Sequence, residues 1–228
     1  MNILTIILGV IVILLAYFLY NKYLTNPNAL TTSQLDLKQT NANIPFANFT
    51  SGYSTQYAYG AWVYVNSWNT NNYKTLMSRG GIYNPTNNTT TDITLQLDKT
   101  TPDLYMYIGI QGVAMPHKIK ITNNFPIQTW VYVVISVDNQ IVDAYINGKF
   151  VLSTKLPNLP VVSSSDISIG DSTFPDIFMM GFTRWAYPLD PQTVWTDYLK
   201  GNGKGGSNFN MVITTYQNNV EQSQFSMF

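Results

Sequence analysis

The sequence contains no cysteine, and this absence excludes disulfide bonds, thiolate metal sites and a thiol nucleophile. Charged residues are also scarce, at 11% of the chain, and the twelve basic residues balance the twelve acidic residues. A nucleic-acid partner is not expected, because such partners need concentrated Lys and Arg. Glutamate occurs only at Glu221 and histidine only at His117, so the chain has few residues for acid–base chemistry.

The N-terminal part of the chain is an uninterrupted apolar run over residues 3–20. A helix of this run would rise about 27 Å, which nearly matches the roughly 30 Å hydrocarbon layer of a bilayer. A cleaved signal peptide is the alternative, but no basic residue precedes the run, which ends in aromatic and basic residues such as Tyr20 and Lys22. The run therefore predicts a single-pass transmembrane anchor over residues 1–23 and a membrane location.

Composition divides the rest of the chain into three parts. Residues 24–49 are rich in Asn, Thr and Gln without sustained apolar spacing, and they predict a stalk. Residues 50–201 hold about ten short apolar runs between turn residues, which predict an all-β antiparallel sandwich of two sheets. The runs at 57–65 and 130–137 are apolar on both alternating faces and predict inner strands. Residues 202–228 begin with a Gly-rich hinge, carry scattered apolar residues, and predict a flexible tail.

Local signals predict a hairpin and a helix within this sandwich. Asn147-Gly148 suits a type I′ turn, because that turn needs positive φ at both central residues. Asp190 can cap a short C-terminal helix, Pro191 suits its first position, and Gly201 can end it in a left-handed conformation.

Six motifs follow one another between residues 53 and 201. They are YGAWVYV at 59–65 with MSRG at 77–80, TWVYVV at 129–134, AYINGK at 144–149, ISIG at 167–170, MGFTRW at 180–185, and PLD with YLKG at 188–201. In this order they resemble the laminin-G-like, concanavalin A-like lectin/glucanase family. The resemblance implies a jelly-roll of two facing sheets, and it constrains function much less, because one fold hosts many activities.

The resemblance also bears on catalysis and on metal binding. Hydrolases of this fold use paired glutamates, whereas this chain has only Glu221, so it is not expected to be an enzyme. Relatives of this fold hold Ca²⁺ at a sheet rim, and Asp171 and Asp176 are the candidate ligands here. Two solvated loop carboxylates are the favoured interpretation, and no cofactor is predicted. Arg184 is expected to be a structural partner for a carboxylate or carbonyl.

Aromatic loop residues are the remaining candidates for binding. Trp68, Tyr73 and Tyr83 fall in a turn-rich region with many Asn and Thr, where rings could stack on sugars, dock a protein or anchor the loop. The three tryptophans in the predicted strands, Trp62, Trp130 and Trp185, are expected to pack in the core.

Two functions from different classes fit these observations. The favoured hypothesis is a non-enzymatic, membrane-anchored structural protein that links a bilayer to a neighbouring protein layer, as in a minor capsid or envelope protein of a large membrane-containing virus. In it, the tail residues Phe209, Phe225 and Phe228 order on a partner protein. The alternative is a membrane-anchored lectin or adhesion module, in which Trp68, Tyr73 and Tyr83 bind a glycan.

Overall fold

The computed structural model describes residues 3–19, 28–31, 33–87, 89–171, 173, 175–202, 211–217 and 220–227. The strands are β1 (Leu35–Asp36), β2 (Gln56–Val65), β3 (Lys74–Arg79), β4 (Ile93–Leu97), β5 (Leu104–Ile108), β6 (His117–Thr122), β7 (Trp130–Asp138), β8 (Ile141–Ile146), β9 (Lys149–Lys155), β10 (Ile167–Ile169), β11 (Ile177–Trp185), β12 (Met211–Gln217) and β13 (Val220–Met227). The helices are α1 (Ile3–Leu19) and α2 (Pro191–Leu199).

Two antiparallel sheets form a sandwich. The six-stranded sheet has the order β1-β11-β2-β7-β8-β9, and the five-stranded sheet has the order β10-β3-β4-β5-β6. This confirms the predicted all-β antiparallel two-sheet sandwich. Strands β2 and β7 are neighbours in the middle of the six-stranded sheet, as their apolar character on both faces predicts.

Alternation along β2 separates the two faces of the six-stranded sheet. Ala61, Val63 and Val65 are buried in the core between the sheets. Trp62 and Tyr64 alternate with them and therefore lie on the outer face, where both are half-buried. This parity places the aromatic residues of β2 on the side of the sandwich that faces away from the core.

A tight turn joins β8 to β9. Asn147 and Gly148 have φ values of 50° and 74°, which agrees with the predicted type I′ turn. The Asn147 side chain also accepts a hydrogen bond of 2.9 Å from the backbone N–H of Tyr132. The turn is thereby tied to β7 as well as to its own hairpin.

Helix α2 lies across part of the outer face of the six-stranded sheet. Asp190 caps it by accepting hydrogen bonds from the N–H groups of Gln192 and Thr193, at 2.9 and 3.0 Å. The predicted short C-terminal helix is therefore confirmed. Gly60 on this face must stay without a side chain, because an added Cβ would lie 2.9 Å from the Trp185 ring.

The segment predicted as a stalk over residues 24–49 differs in its described part. Strand β1 pairs with β11, and Ile44 forms an isolated bridge with Ile167 of the other sheet. Leu37 is fully buried in the core between the sheets. The prediction was wrong for this part, because isolated apolar residues reach both sheets without any regular spacing.

The two ends of the chain complete the description. The predicted anchor contains α1, which is 17 residues long. No helix in the described residues is both long enough and apolar enough to span a membrane. Near the C-terminus, β12 and β13 pair as an antiparallel hairpin. The segment predicted as a flexible tail, residues 202–228, contains this hairpin, and its residues 203–210, 218, 219 and 228 lie outside the described residues.

Candidate binding surfaces

One candidate surface is a set of half-buried side chains on the outer face of the six-stranded sheet. We call it the aromatic platform, and it consists of Trp62, Tyr64, Trp130, Phe178 and Met180. Strand register creates it, because Phe178 pairs with Tyr64 and Tyr64 pairs with Trp130 across three adjacent strands. The ring centroid of Tyr64 lies 5.5 Å from that of Trp130 and 6.4 Å from that of Phe178. A second row, two residues further along, pairs Met180 with Trp62.

The platform borders helix α2. The Trp62 ring stacks on Tyr198 of the helix, with centroids 5.5 Å apart, and lies 5.1 Å from the Tyr132 ring. At the other side, the ladder is irregular between Met180 and Thr183, and Gly181 has a φ of 62°. The helix covers one part of the outer face, and the platform lies beside it as a half-buried, largely apolar surface suited to van der Waals contact.

This arrangement corrects the expectation that three tryptophans pack in the core. Trp185 is buried, but beneath α2 on the outer face. Trp62 and Trp130 are half-buried on that same outer face. An inner strand that is apolar on both faces need not be enclosed on both, because α2 covers only part of the outer face. The alternation of Trp62 with the core residues Ala61 and Val63 along β2 was the sequence signal that could have revealed this surface.

A second candidate surface lies on the outer face of the five-stranded sheet. We call it the tyrosine–lysine face, and it consists of Tyr73, Tyr83, Tyr105, Tyr107, Lys118 and Lys120. Two cross-strand rows build it, one joining Tyr107 to Lys118 and the other joining Tyr105 to Lys120. The Tyr83 ring lies on the same cluster, with its centroid 4.3 Å from that of Tyr107.

Charges on this face are arranged around the tyrosine rings. Lys118 Nζ lies 4.0 Å from the centroid of the Tyr105 ring. Asp103 accepts hydrogen bonds from Lys120 Nζ at 2.7 Å and from the Tyr105 hydroxyl at 2.9 Å. The bond from Lys120 is the main cause that holds the pKa of Asp103 below its ordinary value, against burial, which would raise it. Burial raises the pKa of Tyr107, and the nearby Tyr73 hydroxyl raises it further. Tyr107 therefore stays protonated at neutral pH.

An amide group completes the tyrosine–lysine face. Gln96 lies opposite Tyr105 in the sheet and is 3% exposed. Its Nε2 donates to Thr75 Oγ1 at 2.9 Å and to the Tyr83 carbonyl at 3.5 Å. Its Oε1 has no hydrogen-bond partner among the described residues. A buried amide acceptor of this kind is costly unless a donor reaches it.

The three rings predicted to bind a ligand are divided by the structure. Tyr73 and Tyr83 belong to the tyrosine–lysine face, although Tyr83 is 6% exposed and the prediction expected an exposed ring. Trp68 packs against the core, its Nε1 donates to the Lys99 carbonyl at 3.3 Å, and Lys74 Nζ lies 4.1 Å from its ring centroid. These contacts make Trp68 a loop anchor, the other role that the sequence left open.

The two predicted metal ligands each have their own protein donors. Asp171 accepts from the backbone N–H groups of Thr75 and Thr173, at 3.2 and 2.7 Å. Asp176 accepts from Ser67 Oγ at 2.5 Å, and Lys38 Nζ lies 2.7 Å from its other oxygen. Across the part of the chain that the structure describes, no group of three or more His, Asp or Glu side chains is placed to share a metal ion.

The chain's two arginines hold the loop that precedes β2. Arg79 is 2% exposed and donates to the carbonyl of Gly52 at 2.8 Å. Arg184 donates to the carbonyls of Thr50 and Ser51, at 2.6 and 3.2 Å. The structure therefore places Arg184 in the structural, carbonyl-binding role that the sequence predicts.

The predicted assembly residues fall at the C-terminus. Phe225 lies in β13 and pairs with Ile213 of β12. Phe209 and Phe228 lie outside the described residues, as does most of the predicted Gly-rich hinge.

Comparison with known proteins agrees with this fold. A laminin G family model, described as the concanavalin A-like lectin/glucanases superfamily, matches residues 38–202. The chain therefore belongs to the concanavalin A-like lectin/glucanases superfamily. A search of curated proteins finds no match to the sequence.

Solved structures with a similar fold include binding domains of botulinum neurotoxins. The binding domain of neurotoxin DC, solved in complex with rat synaptotagmin II, has a TM-score of 0.51 at 16% identity, over 66% of this chain and 37% of that one. The receptor-binding domain of type G has a TM-score of 0.50 at 17% identity, over 65% and 38%. This chain thus spans less than two fifths of each neurotoxin domain, and at these identities the likeness concerns the fold alone.

Proposed function

We propose that this chain is a non-enzymatic interaction protein that is anchored in a bilayer by its N-terminal helix and docks a neighbouring protein through the aromatic platform. The observation that carries the proposal is the contiguous set of Trp62, Tyr64, Trp130, Phe178 and Met180 on one sheet face. Aromatic and Met side chains are enriched at the centres of protein interfaces, where they supply much of the binding energy.

The chemistry of the platform favours a protein over a sugar at this surface. Its two rows consist of four aromatic rings and one Met, and a sugar would need many hydroxyl partners in addition to a ring face. A protein partner can bury apolar side chains against all five residues together. The platform would then form the desolvated centre of a larger interface with a polar rim.

Helix α1 supports the membrane part of the proposal. Ile13, Leu14 and Tyr17 in this helix are 69%, 60% and 65% exposed. A helix that presents apolar side chains so openly is better suited to lipid than to water. A bilayer anchor joined to a protein-docking sandwich would link a membrane to an adjoining protein layer, and a virion with an internal or outer membrane is one setting that needs such a link.

The test is the size of the complex that the full chain forms in its native membrane, extracted gently and separated by sedimentation. Tyr64→Lys places a charge at the centre of the platform, and Tyr187→Lys places the same charge at a tyrosine that is 51% exposed elsewhere. We expect Tyr64→Lys to release the chain from the larger complex and Tyr187→Lys to leave it there. Equal behaviour of the two variants, or a wild-type chain that sediments alone, would contradict the proposal.

A second candidate function is glycan binding at the tyrosine–lysine face. The observation that favours it is the buried Gln96 Oε1 without a hydrogen-bond partner in the described residues, beside tyrosine hydroxyls and two lysines. A sugar hydroxyl could donate to this oxygen, and an acidic sugar could pair with Lys118. This function is tested by a glycan array with the full chain in micelles, with and without Ca²⁺.

Two lysine variants distinguish glycan binding at this face from binding elsewhere on the protein. If glycan binding occurs at this face, Lys118→Ala should weaken it about tenfold or more, and Lys149→Ala, on the edge strand of the other sheet, should not change it. Saturable binding that is lost on addition of a chelator would indicate that Ca²⁺ takes part in glycan binding. If the folded protein binds no glycan on the array, this second function is excluded.

A further inference from the structure

A small pocket lies at one end of the five-stranded sheet. It is lined by the chain just after β3, just before β4 and just after β5, and by part of the loop between β5 and β6. Its volume is about 230 Å³, equal to that of about seven or eight water molecules at about 30 Å³ each. The pocket is therefore large enough for a small organic group. None of its lining residues belongs to the aromatic platform or to the tyrosine–lysine face.

Asp92 is the one charged residue among the described residues that line this pocket. Its side chain is 6% exposed, and Ser163 donates to its Oδ2 from the backbone N–H at 2.7 Å and from Oγ at 2.6 Å. Arg79 Nε lies 3.8 Å from the same oxygen, and Arg79 does not line the pocket. No hydrogen bond within the described part of the chain reaches Oδ1 of Asp92. A buried carboxylate oxygen is costly when no donor reaches it.

Two glycines that line the pocket leave acceptor oxygens uncovered. A Cβ on Gly80 would overlap Asp92 Oδ1, and a Cβ on Gly109 would overlap the carbonyl oxygen of Thr91. Among the residues that the structure describes, no hydrogen bond reaches the carbonyl oxygens of Thr90 and Thr91. Three consecutive residues that line the pocket therefore each offer an acceptor oxygen that lacks a described donor.

The chemistry of the lining selects one kind of ligand. The rest of the wall is largely apolar, with Val113, Ala114, Pro116 and Val161. A primary ammonium group has three N–H donors and no acceptor, which suits three acceptor oxygens, and its charge suits a single carboxylate. The apolar stem that carries such a group can pack along an apolar wall.

We propose that this pocket binds a primary ammonium group on a short, unbranched apolar stem. A lysine side chain of another protein and a small free alkylamine share this chemistry. Arg79 does not compete for the position, because it lies against Oδ2 of Asp92 and the ammonium would meet Oδ1. The inference does not depend on the proposed function, since the platform lies on the other sheet.

The test is an NMR titration of the full chain in micelles with butylammonium, followed at the backbone amides of Gly80, Thr91 and Gly109. Butanol and butyrate are the matched probes, because they keep an apolar stem and replace the ammonium by a neutral or a negative group. N-acetyl-lysine methylamide presents the ammonium on a lysine side chain with a blocked backbone. Comparing it with butylammonium distinguishes the two sources of the ligand.

Three variants locate the binding. Val113→Lys places an ammonium group of the chain itself beside the pocket, at a residue that is 52% exposed. Met115→Lys is its matched control, because Met115 is 49% exposed on the same loop and does not line the pocket. Asp92→Asn keeps the shape of the side chain and removes its charge, and its melting temperature shows whether it folds.

We expect butylammonium to bind saturably in the millimolar range or tighter, and about tenfold or more tightly than butanol or butyrate. Val113→Lys and Asp92→Asn should each weaken this binding about tenfold or more, while Met115→Lys should change it little. Tighter binding of the blocked lysine would support a protein side chain as the ligand, and tighter binding of butylammonium would support a small free amine.

Three results would overturn the inference. The first is that neither ammonium probe binds, and the second is that butanol binds as tightly as butylammonium. The third is that Val113→Lys binds butylammonium as Met115→Lys does, or that folded Asp92→Asn binds it as the wild type does. The lysine pair keeps the test decisive if Asp92→Asn fails to fold, because both of its positions are exposed.

Discussion

Lys74 gives a sharp test of how the loops around Trp68 are held. Its side chain is almost fully buried, and its Nζ donates to the carbonyls of Asn72, Asp98 and Lys99 at 3.0 to 3.2 Å. Burial lowers the pKa of Lys74 to about 8, against the opposing effect of nearby Asp98. The perturbation is Lys74→Met, which keeps a similar side-chain length and removes the titrating group.

The size and sign of the effect follow from linkage. In the unfolded chain Lys74 titrates near its ordinary pKa of 10.5, so between about pH 8 and pH 10.5 the unfolded state binds more protons than the folded state. The free energy of unfolding of the wild type must therefore rise with pH across this window. Each pKa unit is worth about 1.4 kcal/mol, so the complete rise is about 3 kcal/mol, of which about 2 kcal/mol should be reached by pH 9.5.

The assay is urea unfolding of the wild type and Lys74→Met at several pH values from 7 to 9.5. The quantity of interest is the difference between their free energies of unfolding, because contributions that the two proteins share cancel in it. This difference should grow by about 2 kcal/mol in favour of the wild type as the pH rises. A difference that stays constant, or that falls with pH, would refute the conclusion that burial destabilises the charged form of Lys74.

Three further changes test other contacts. Asp176→Asn should lower the free energy of unfolding by about 1–3 kcal/mol at pH 7. Burial alone would raise the pKa of Asp176, but its hydrogen bonds from Lys38, Ser67 and Asn66 hold it below the ordinary value. This stability begins to be lost as the pH falls below about 4, so the difference between the two proteins in urea unfolding should be smaller at pH 3 than at pH 7. Gly148→Ala should lower the melting temperature, because Gly148 has a φ of 74° and the new Cβ would lie 2.8 Å from the Trp195 ring; an unchanged melting temperature would contradict the turn geometry. Arg79→Met leaves Asp92 buried without its cation and should cost about 3–5 kcal/mol in urea unfolding, and a cost below 1 kcal/mol would show that this arginine is dispensable.

Sequence patterns predicted the sandwich because its signals are local. Alternating apolar runs, the Asn147-Gly148 turn and the Asp190 cap each depend on a few neighbouring residues. The contribution of Leu37 and Ile44 to the core was not predicted, since each lies alone in a polar segment and its burial depends on strands far away in the chain. Strand pairing between distant segments is what periodicity cannot supply.

The candidate surfaces were harder to predict than the fold. Tyr73 and Tyr83 were singled out from a loop, but Tyr107 joins them only through the register of β4, β5 and β6. Trp62 and Trp130 were expected in the core because an apolar strand does not reveal how much of its outer face a helix covers. A single short helix, α2, covers part of that face and leaves Trp62 and Trp130 beside it.

If the aromatic platform is the surface through which this chain docks a neighbouring protein, a crosslinking residue placed on it should capture that protein. The most direct measurement places a photoreactive benzoylphenylalanine at position 64 of the full chain in its native membrane, with the same residue at position 118 as the control. We expect one discrete protein adduct from position 64 and none from position 118. No adduct from position 64, or equal adducts from both positions, would contradict it.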